Sequence, residues 1–294
     1  MVDDAARDER GAHFGSLNDA PPAEVAPSEG RDRGELGLLL LFQFGAFVAV
    51  AFATLPFVTE DGKLRAGLTP ILAALCSAWP VLFAAVLTVS HRRRRPWQDV
   101  VGARSVRVVD LAAVLVGVVL QFVVGVAYYL AGVDDDRVSG PARDLTDRTG
   151  GLGFGFAVLA VFVVIGAPVF EELFYRGAVL NAARRAQGPG DAPLRFDRPT
   201  VVAIAVSSIW FGVIHGQLLQ LPALVAVGVV CAAARVRTGR LSTAILLHAG
   251  FNLTTMVALG MQFAGNLRLV PLGLLTHAPS GSPDASCGAN GPKK

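Results

Sequence analysis

Seven residues sit where chemistry is costly to keep. Glu171, Glu172, Arg176, Phe211, His215, His248 and Asn252 all fall inside long apolar stretches. A polar or ionisable side chain there costs several kcal/mol unless it is paired or hydrated, so each of the six polar residues is a functional candidate, and Phe211 joins them by its spacing from His215. The chain has five His, and only His215 and His248 lie in such stretches. The spacings are helical. In Pro168-Val169-Phe170-Glu171-Glu172-Leu173-Phe174-Tyr175-Arg176, Glu172 and Arg176 are four apart and share a face. Glu171 points about 100° away, toward another neighbour. Phe211 precedes His215 by one turn, and Gly212 and Gly216 form a small-xxx-small pair that lets another helix come close. His248 and Asn252 share a third face. Three helices can thus converge two carboxylates, two imidazoles, an amide and a guanidinium.

That set suits hydrolysis by activated water, in either of two arrangements. In the first, one carboxylate is general base toward water, one imidazole holds the water, and the second imidazole with the amide stabilises the oxyanion. Arg176 then compensates Glu172. In the second, Glu172, His215 and His248 form a zinc set with Glu171 as base. No cofactor-binding loop and no phosphate cradle is evident in the sequence.

The elements that must position these residues are membrane spans. The chain has 294 residues, 53% hydrophobic and 17% charged, with a mean hydropathy of +0.52. Soluble domains carry about 25% charged residues, so neither a cytosolic enzyme nor a disordered chain fits. Seven apolar blocks run Leu36–Val58, Leu68–Ser90, Leu111–Val133, Leu152–Val179, Val201–Leu219, Leu221–Ala234 and Leu241–Gln262. Most reach the ~20 residues that cross a bilayer. The sixth is the shortest, which leaves open a short, tilted or re-entrant segment. The fourth is longer than a span needs, and Pro168 is expected to kink it. The first three blocks are nearly free of polar residues. Gln43 and Gln121 are the main exceptions, and read as helix–helix glue.

The expected fold is an all-α polytopic membrane bundle of about seven transmembrane helices, with the site formed by the last four. Residues 1–35 carry nine acidic and four basic residues, contain no apolar stretch and read as a disordered tail without a signal peptide. Residues 36–149 are N-terminal spans, 150–262 the candidate catalytic membrane domain and 263–294 a flexible tail. The Arg-rich loops at His91–Asp110, Asn181–Thr200 and Arg235–Arg240 hold thirteen Arg, against five basic residues in Thr59–Gly67 and Asp134–Gly150. The positive-inside rule then places the N-terminus in the cytoplasm, in a multi-pass inner-membrane protein. The side of the C-terminus depends on whether the sixth block spans. Cys76, Cys231 and Cys287 are not paired by spacing, which argues against a disulfide framework or a Cys zinc site.

Three short motifs stand in order, each in an apolar block: Glu171-Glu172…Arg176, Phe211…His215 and His248…Asn252. Together they resemble the CPBP family, the CAAX proteases and bacteriocin-processing enzymes also called Abi or type II CAAX prenyl endopeptidase-like proteins. The resemblance covers about residues 150–262. It implies an intramembrane endopeptidase of packed helices with its site open to the cytoplasm. By motif position it implies Glu171 as the base activating water with His215. It implies His248 and Asn252 as the oxyanion site, and Glu172 and Arg176 as supporting residues. It leaves the choice between a metalloprotease and a metal-free glutamate mechanism open. It implies partners of two kinds: membrane lipid and a peptide or membrane-protein substrate.

Other readings compete. A non-proteolytic relative that binds a membrane partner, as an immunity factor or scaffold, would keep the same motifs. An ion-coupled transporter could use the same residue types, but paired interrupted spans are missing. Glu172–Arg176 alone reads as a helix-stabilising pair, and Asn252 alone as interhelical glue. No His-Glu-x-x-His occurs. Gly188-Pro189-Gly190-Asp191 mimics an aspartyl-protease motif but lies in a polar loop. Ser207 and Ser208 precede His215 on one helix, and Ser208 lies about two turns away, ~10 Å, beyond the reach of a nucleophile–base pair. The run Arg92–Arg95 suits anionic headgroups better than nucleic acid.

Overall fold

A computed structural model describes residues 29–149, 152–188 and 193–263. Among the described residues every regular element is helical, and the only extended feature is an isolated bridge between Val58 and Leu64. The tails read at residues 1–28 and 264–294 lie outside the described residues, as do the last three residues of Gly188-Pro189-Gly190-Asp191.

Helix α1 (Glu29–Thr54) begins inside the stretch read as a tail. Its Glu35 is buried and binds Arg93 and Arg185, so charge holds the chain just before Leu36. Helix α2 (Leu68–Arg93) packs antiparallel on α1 and ends at Arg94, whose φ of 53° is the left-handed stop of the helix. A short α3 (Trp97–Val101) follows. Helix α4 (Ala112–Leu130) continues from a 3-10 turn at Val108–Leu111. The segment after it, read from sequence as a loop, contains α5 (Asp135–Asp147).

The fourth apolar block becomes one continuous run, α6, over Phe154–Arg185. At 32 residues it is ~48 Å long, well beyond a ~30 Å hydrocarbon layer. It is not uniformly α-helical. Phe162–Gly166 and Leu173–Val179 are π-helical, on either side of an α-helical Ala167–Glu172. Pro168, where a kink was expected, follows the first of these segments by two residues. Pro168 has no N–H, so it leaves a carbonyl one turn earlier without its donor, and the wider π turn absorbs the mismatch.

Helices α7 (Arg198–Ile214), α8 (Leu221–Thr238) and α9 (Leu241–Phe263) complete the bundle. Among the described residues six helical stretches are long and apolar enough to cross a membrane, and the chain is a multi-pass membrane protein. The short member is the fifth block, not the sixth. α7 has 17 residues, whereas α8 runs on to Thr238 and reaches 18. Arg235, where the sixth block was expected to have ended, is buried, and its guanidinium donates to the Val101 carbonyl. A charge that finds an internal acceptor does not have to end the helix.

Close packing is made by missing side chains. Gly117 of α4 and Gly250 of α9 face each other's helices: a Cβ on Gly117 would lie 2.0 Å from the Leu247 carbonyl oxygen, and one on Gly250 2.2 Å from that of Val114. The two backbones therefore touch. Trp79 of α2 lies between Phe162 and Phe170 of α6, at centroid distances of 5.4 and 4.9 Å, over the bare backbone of Gly166. This clamp spans the first π segment and fixes its orientation. Gln43 accepts a hydrogen bond from the Tyr175 hydroxyl at 2.6 Å, as expected of interhelical glue, while the Gln121 side-chain oxygen is buried without a hydrogen-bond partner.

Candidate active site

α6 carries Glu171, Glu172 and Arg176 into the centre of the bundle. Glu172 and Arg176 are fully buried, and Glu171 keeps 21% of its side chain exposed. The Arg176 Nη1 to Glu172 Oε1 distance is 2.9 Å, so the shared face read from the four-residue spacing is real. The two groups are in contact but not aligned as a hydrogen bond, and the guanidinium nitrogens have no hydrogen-bond partner. Instead the guanidinium lies 4.5 Å from the centroid of the Phe211 ring, a cation–π contact in a dry setting.

The same Glu172 oxygen accepts a hydrogen bond from His248 Nδ1 at 2.9 Å. An ionised carboxylate can only accept, so Nδ1 carries the proton. In the neutral ring the other nitrogen, Nε2, is then a bare acceptor. It faces Glu171 Oε2 at 3.9 Å. Two acceptors at that separation can share one water that donates a hydrogen to each. Glu171 is thus brought close to an imidazole, and that imidazole is His248.

His215 lies just beyond the end of α7. Its Nδ1 is 2.7 Å from the Phe211 carbonyl oxygen and donates to it, which leaves Nε2 free to accept. Gly216, with φ of 66°, ends the helix there. The small-xxx-small expectation therefore divides. Gly212 admits α8, since a Cβ on it would meet Leu221 and Val225 within 3 Å, whereas Gly216 is the turn and has nothing within 4 Å. The turn is tied down by Tyr128, which donates to the Leu219 carbonyl, and by Gln220, which donates to the Val138 carbonyl in α5.

Phe211 is the hub of the site. It meets His215 edge-on at 4.7 Å, His248 at 5.6 Å and Tyr175 at 5.3 Å, with Arg176 over its face. Its ring therefore stands beside both imidazoles.

Asn252 is tied to α6. Its Nδ2 donates to the Val163 carbonyl at 2.8 Å. In π register the donor missing at Pro168 would have served residue 163, five positions earlier. Asn252 supplies that donor from another helix. The amide has a second N–H, so the pin on α6 does not exhaust it.

The zinc alternative fits poorly. Among the described residues no three His, Cys, Asp or Glu side chains are gathered as a metal site requires. The Glu172 oxygen needed as a ligand already faces a guanidinium and an imidazole N–H. A divalent cation there would meet the Arg176 charge at close range. Ser208 is fully buried behind Gly228, with no partner for its hydroxyl, and is not placed as a nucleophile.

Sequence reasoning missed one role. The Val163 carbonyl matters because of Pro168, and the only hint was Pro168 itself. It also missed the latches at the Arg-rich helix ends. Asp110 accepts from Arg240, Ser242 and Thr243, and Glu35 from Arg93 and Arg185.

Residues 153–254 match the family model described as Rce1-like, type II CAAX prenyl endopeptidase Rce1-like. The matched stretch contains all three motifs and every residue of the cluster, and the resemblance read from the motifs is shown by this match. It supports CAAX-type intramembrane protease activity in general. No curated protein and no solved structure matches the chain.

Proposed function

We propose that this protein is a membrane-embedded endopeptidase that hydrolyses a peptide bond of a membrane-associated or lipidated protein or peptide. Residues 150–262 carry the chemistry and 36–149 are spans that pack against them. The observation that carries the reading is Glu171 Oε2 at 3.9 Å from a His248 Nε2 whose opposite nitrogen is held by Glu172.

In this reading a water sits between Glu171 and His248. Glu171 takes its proton as the oxygen attacks the scissile carbonyl carbon. The oxyanion accepts a hydrogen bond from the second N–H of Asn252. The C–N bond then breaks, the proton held by Glu171 passes to the leaving amine, and the new carboxyl group releases water's second proton to solvent to become a carboxylate. His215, with a free Nε2 beside Phe211, relays protons at the mouth of the site. This assigns His248 to the water rather than to the oxyanion, because its proton is on the nitrogen that faces Glu172. Glu172 and Arg176 are positioning residues, and the mechanism needs no metal ligand from the Glu172 set.

An apolar substrate segment has a route in. A cavity of about 590 Å³ opens between α1 and α7, lined by Phe44, Phe47, Ile209, Trp210 and Val213 among others. Its lining includes Ile214, the residue before His215 in the chain. The Arg-rich loops favour a cytoplasmic N-terminus in an inner membrane.

The test is cleavage of an apolar or prenylated fluorogenic peptide library by the purified, reconstituted protein. Glu171→Gln is expected to lower the rate by at least ~100-fold, the contribution of a general base, with unchanged thermal stability. A zinc chelator is expected to leave the rate unchanged. Equal cleavage by both proteins would overturn the assignment of Glu171. Absence of cleavage by folded wild type across the library would favour a non-proteolytic partner-binding role.

A further inference from the structure

A second crevice lies beside α9 and is lined by none of the residues of the catalytic cluster. It has a volume of about 390 Å³ and is formed where α4, α8 and α9 diverge near their Arg-rich ends. Its floor is made of small and aliphatic side chains, among them Ala113, Val116, Ala233 and Leu247. The small residues are what make it a groove: side chains as large as Leu at 113 and 233 would fill it. Leu247 lies six residues along α9 from Leu241, so the groove runs ~9 Å inward from the helix ends.

The rim at the helix ends is polar and cationic. Asp110, Arg237, Thr238, Arg240 and Thr243 border it, two guanidinium groups against one carboxylate. Arg240 is engaged by Asp110. Arg237 differs: it is exposed, and among the described residues no hydrogen bond or ion pair holds it. The result is an apolar slot with a free guanidinium at one end, among the Arg-rich helix ends. A basic pocket between spans of this kind has the chemistry of a phospholipid site.

We propose that this crevice binds one anionic phospholipid, with an acyl chain in the slot and the headgroup phosphate on Arg237. Water alone does not suit it, because the floor is apolar. A peptide segment does not suit it either, because the floor offers nothing to satisfy a backbone. The site is independent of the protease reading. It touches that site through one residue, since Leu247 in its floor is next to His248 in the chain.

The experiment measures thermal unfolding of the full chain in detergent while titrating lipid. Short-chain phosphatidylglycerol is compared with phosphatidylcholine of the same chains, and with glycerol 3-phosphate as a free headgroup. Wild type is expected to show a saturable stabilisation with phosphatidylglycerol only. Arg237→Gln is expected to weaken that apparent affinity about five-fold, the share of one Arg near a lipid surface. Arg237 holds no partner, so the variant is expected to fold as wild type does. Arg92→Gln with Arg94→Gln, on the basic run elsewhere, is expected to leave the titration unchanged. Equal stabilisation by both lipids would overturn the proposal. So would an unaltered phosphatidylglycerol titration in Arg237→Gln, or the same saturable shift with glycerol 3-phosphate, which would mark a plain anion site.

Discussion

Glu172 answers to two partners through one oxygen, Arg176 on its own helix and His248 on α9. Both contacts are buried, so the carboxylate cannot be removed without leaving charge and an N–H exposed to a dry interior. Glu172→Leu is expected to destabilise the protein by about 3 kcal/mol, the cost of breaking a buried pair from one side, and to lower cleavage as the His248 Nδ1–H loses its acceptor. Thermal unfolding beside kinetics checks both, and unchanged stability would show that Arg176 is not balanced by Glu172. Asn252 makes a different demand. Asn252→Leu leaves the Val163 carbonyl without a donor in an apolar setting, which is expected to cost about 1–3 kcal/mol. Asn252→Gln, with the same amide on a longer stem, tests whether the pin on α6 or the oxyanion contact dominates. Recovery of stability without activity would separate the two.

At the scale of the element, α6 is where local preference and function meet. A straight α-helix from Phe154 to Arg185 would set Glu171, Glu172 and Arg176 in a register that Pro168, with no N–H to donate, disfavours. The π turns on each side change that register, and Trp79 and Asn252 hold the result from two other helices. The α4–α9 contact sets the depth of His248 in turn. Gly250→Leu would drive α9 away from α4, because its Cβ alone would fall 2.2 Å from a backbone oxygen. The expected outcome is loss of stability by about 3 kcal/mol or failure to fold, at the upper end for overpacking. Gly216→Ala, with open space around it, would be strained only by its positive φ. At the start of α7 the Asp197 carboxylate accepts from Thr200 and neighbours Arg184, which holds its pKa below the usual carboxylate value. Its contribution is therefore present above the unfolded pKa near 3.9 and is lost as pH falls through the lower folded value. Asp197→Asn is expected to flatten the acid limb of the stability profile below about pH 4. An unaltered acid limb would assign that limb to other carboxylates.

Across the whole molecule, the Arg-rich helix ends are joined by two buried anions. Glu35 ties the start of α1 to Arg93 at the end of α2 and Arg185 at the end of α6. Asp110 ties the start of α4 to Arg240 and the first turn of α9. These links hold the N-terminal spans to the half that carries the site. Glu35→Ala is expected to lower stability by about 3 kcal/mol and to make α1 accessible to proteolysis near its start. Protection equal to wild type would show that the apolar α1–α2 contact holds α1 alone. The cavity between α1 and α7 borders this same helix, so loosening α1 is also expected to change substrate access before it changes the catalytic cluster.

Composition and block length determined by themselves that the chain is an all-α bundle crossing a membrane, because spanning a bilayer leaves the backbone few alternatives. Helical spacing determined that Glu172 meets Arg176 and that His248 and Asn252 share a face, because those relations are local. The tertiary structure decided the rest. Which imidazole meets Glu171 depends on how α6 and α9 cross, and no spacing within either helix encodes that distance. Whether the fifth or sixth block is short depended on Arg235 finding a carbonyl on α3. That Asn252 supplies a donor missing at Pro168 depended on a carbonyl 89 residues away in the chain. These are contacts between elements, and they exist only once glycine-lined faces have brought the helices together.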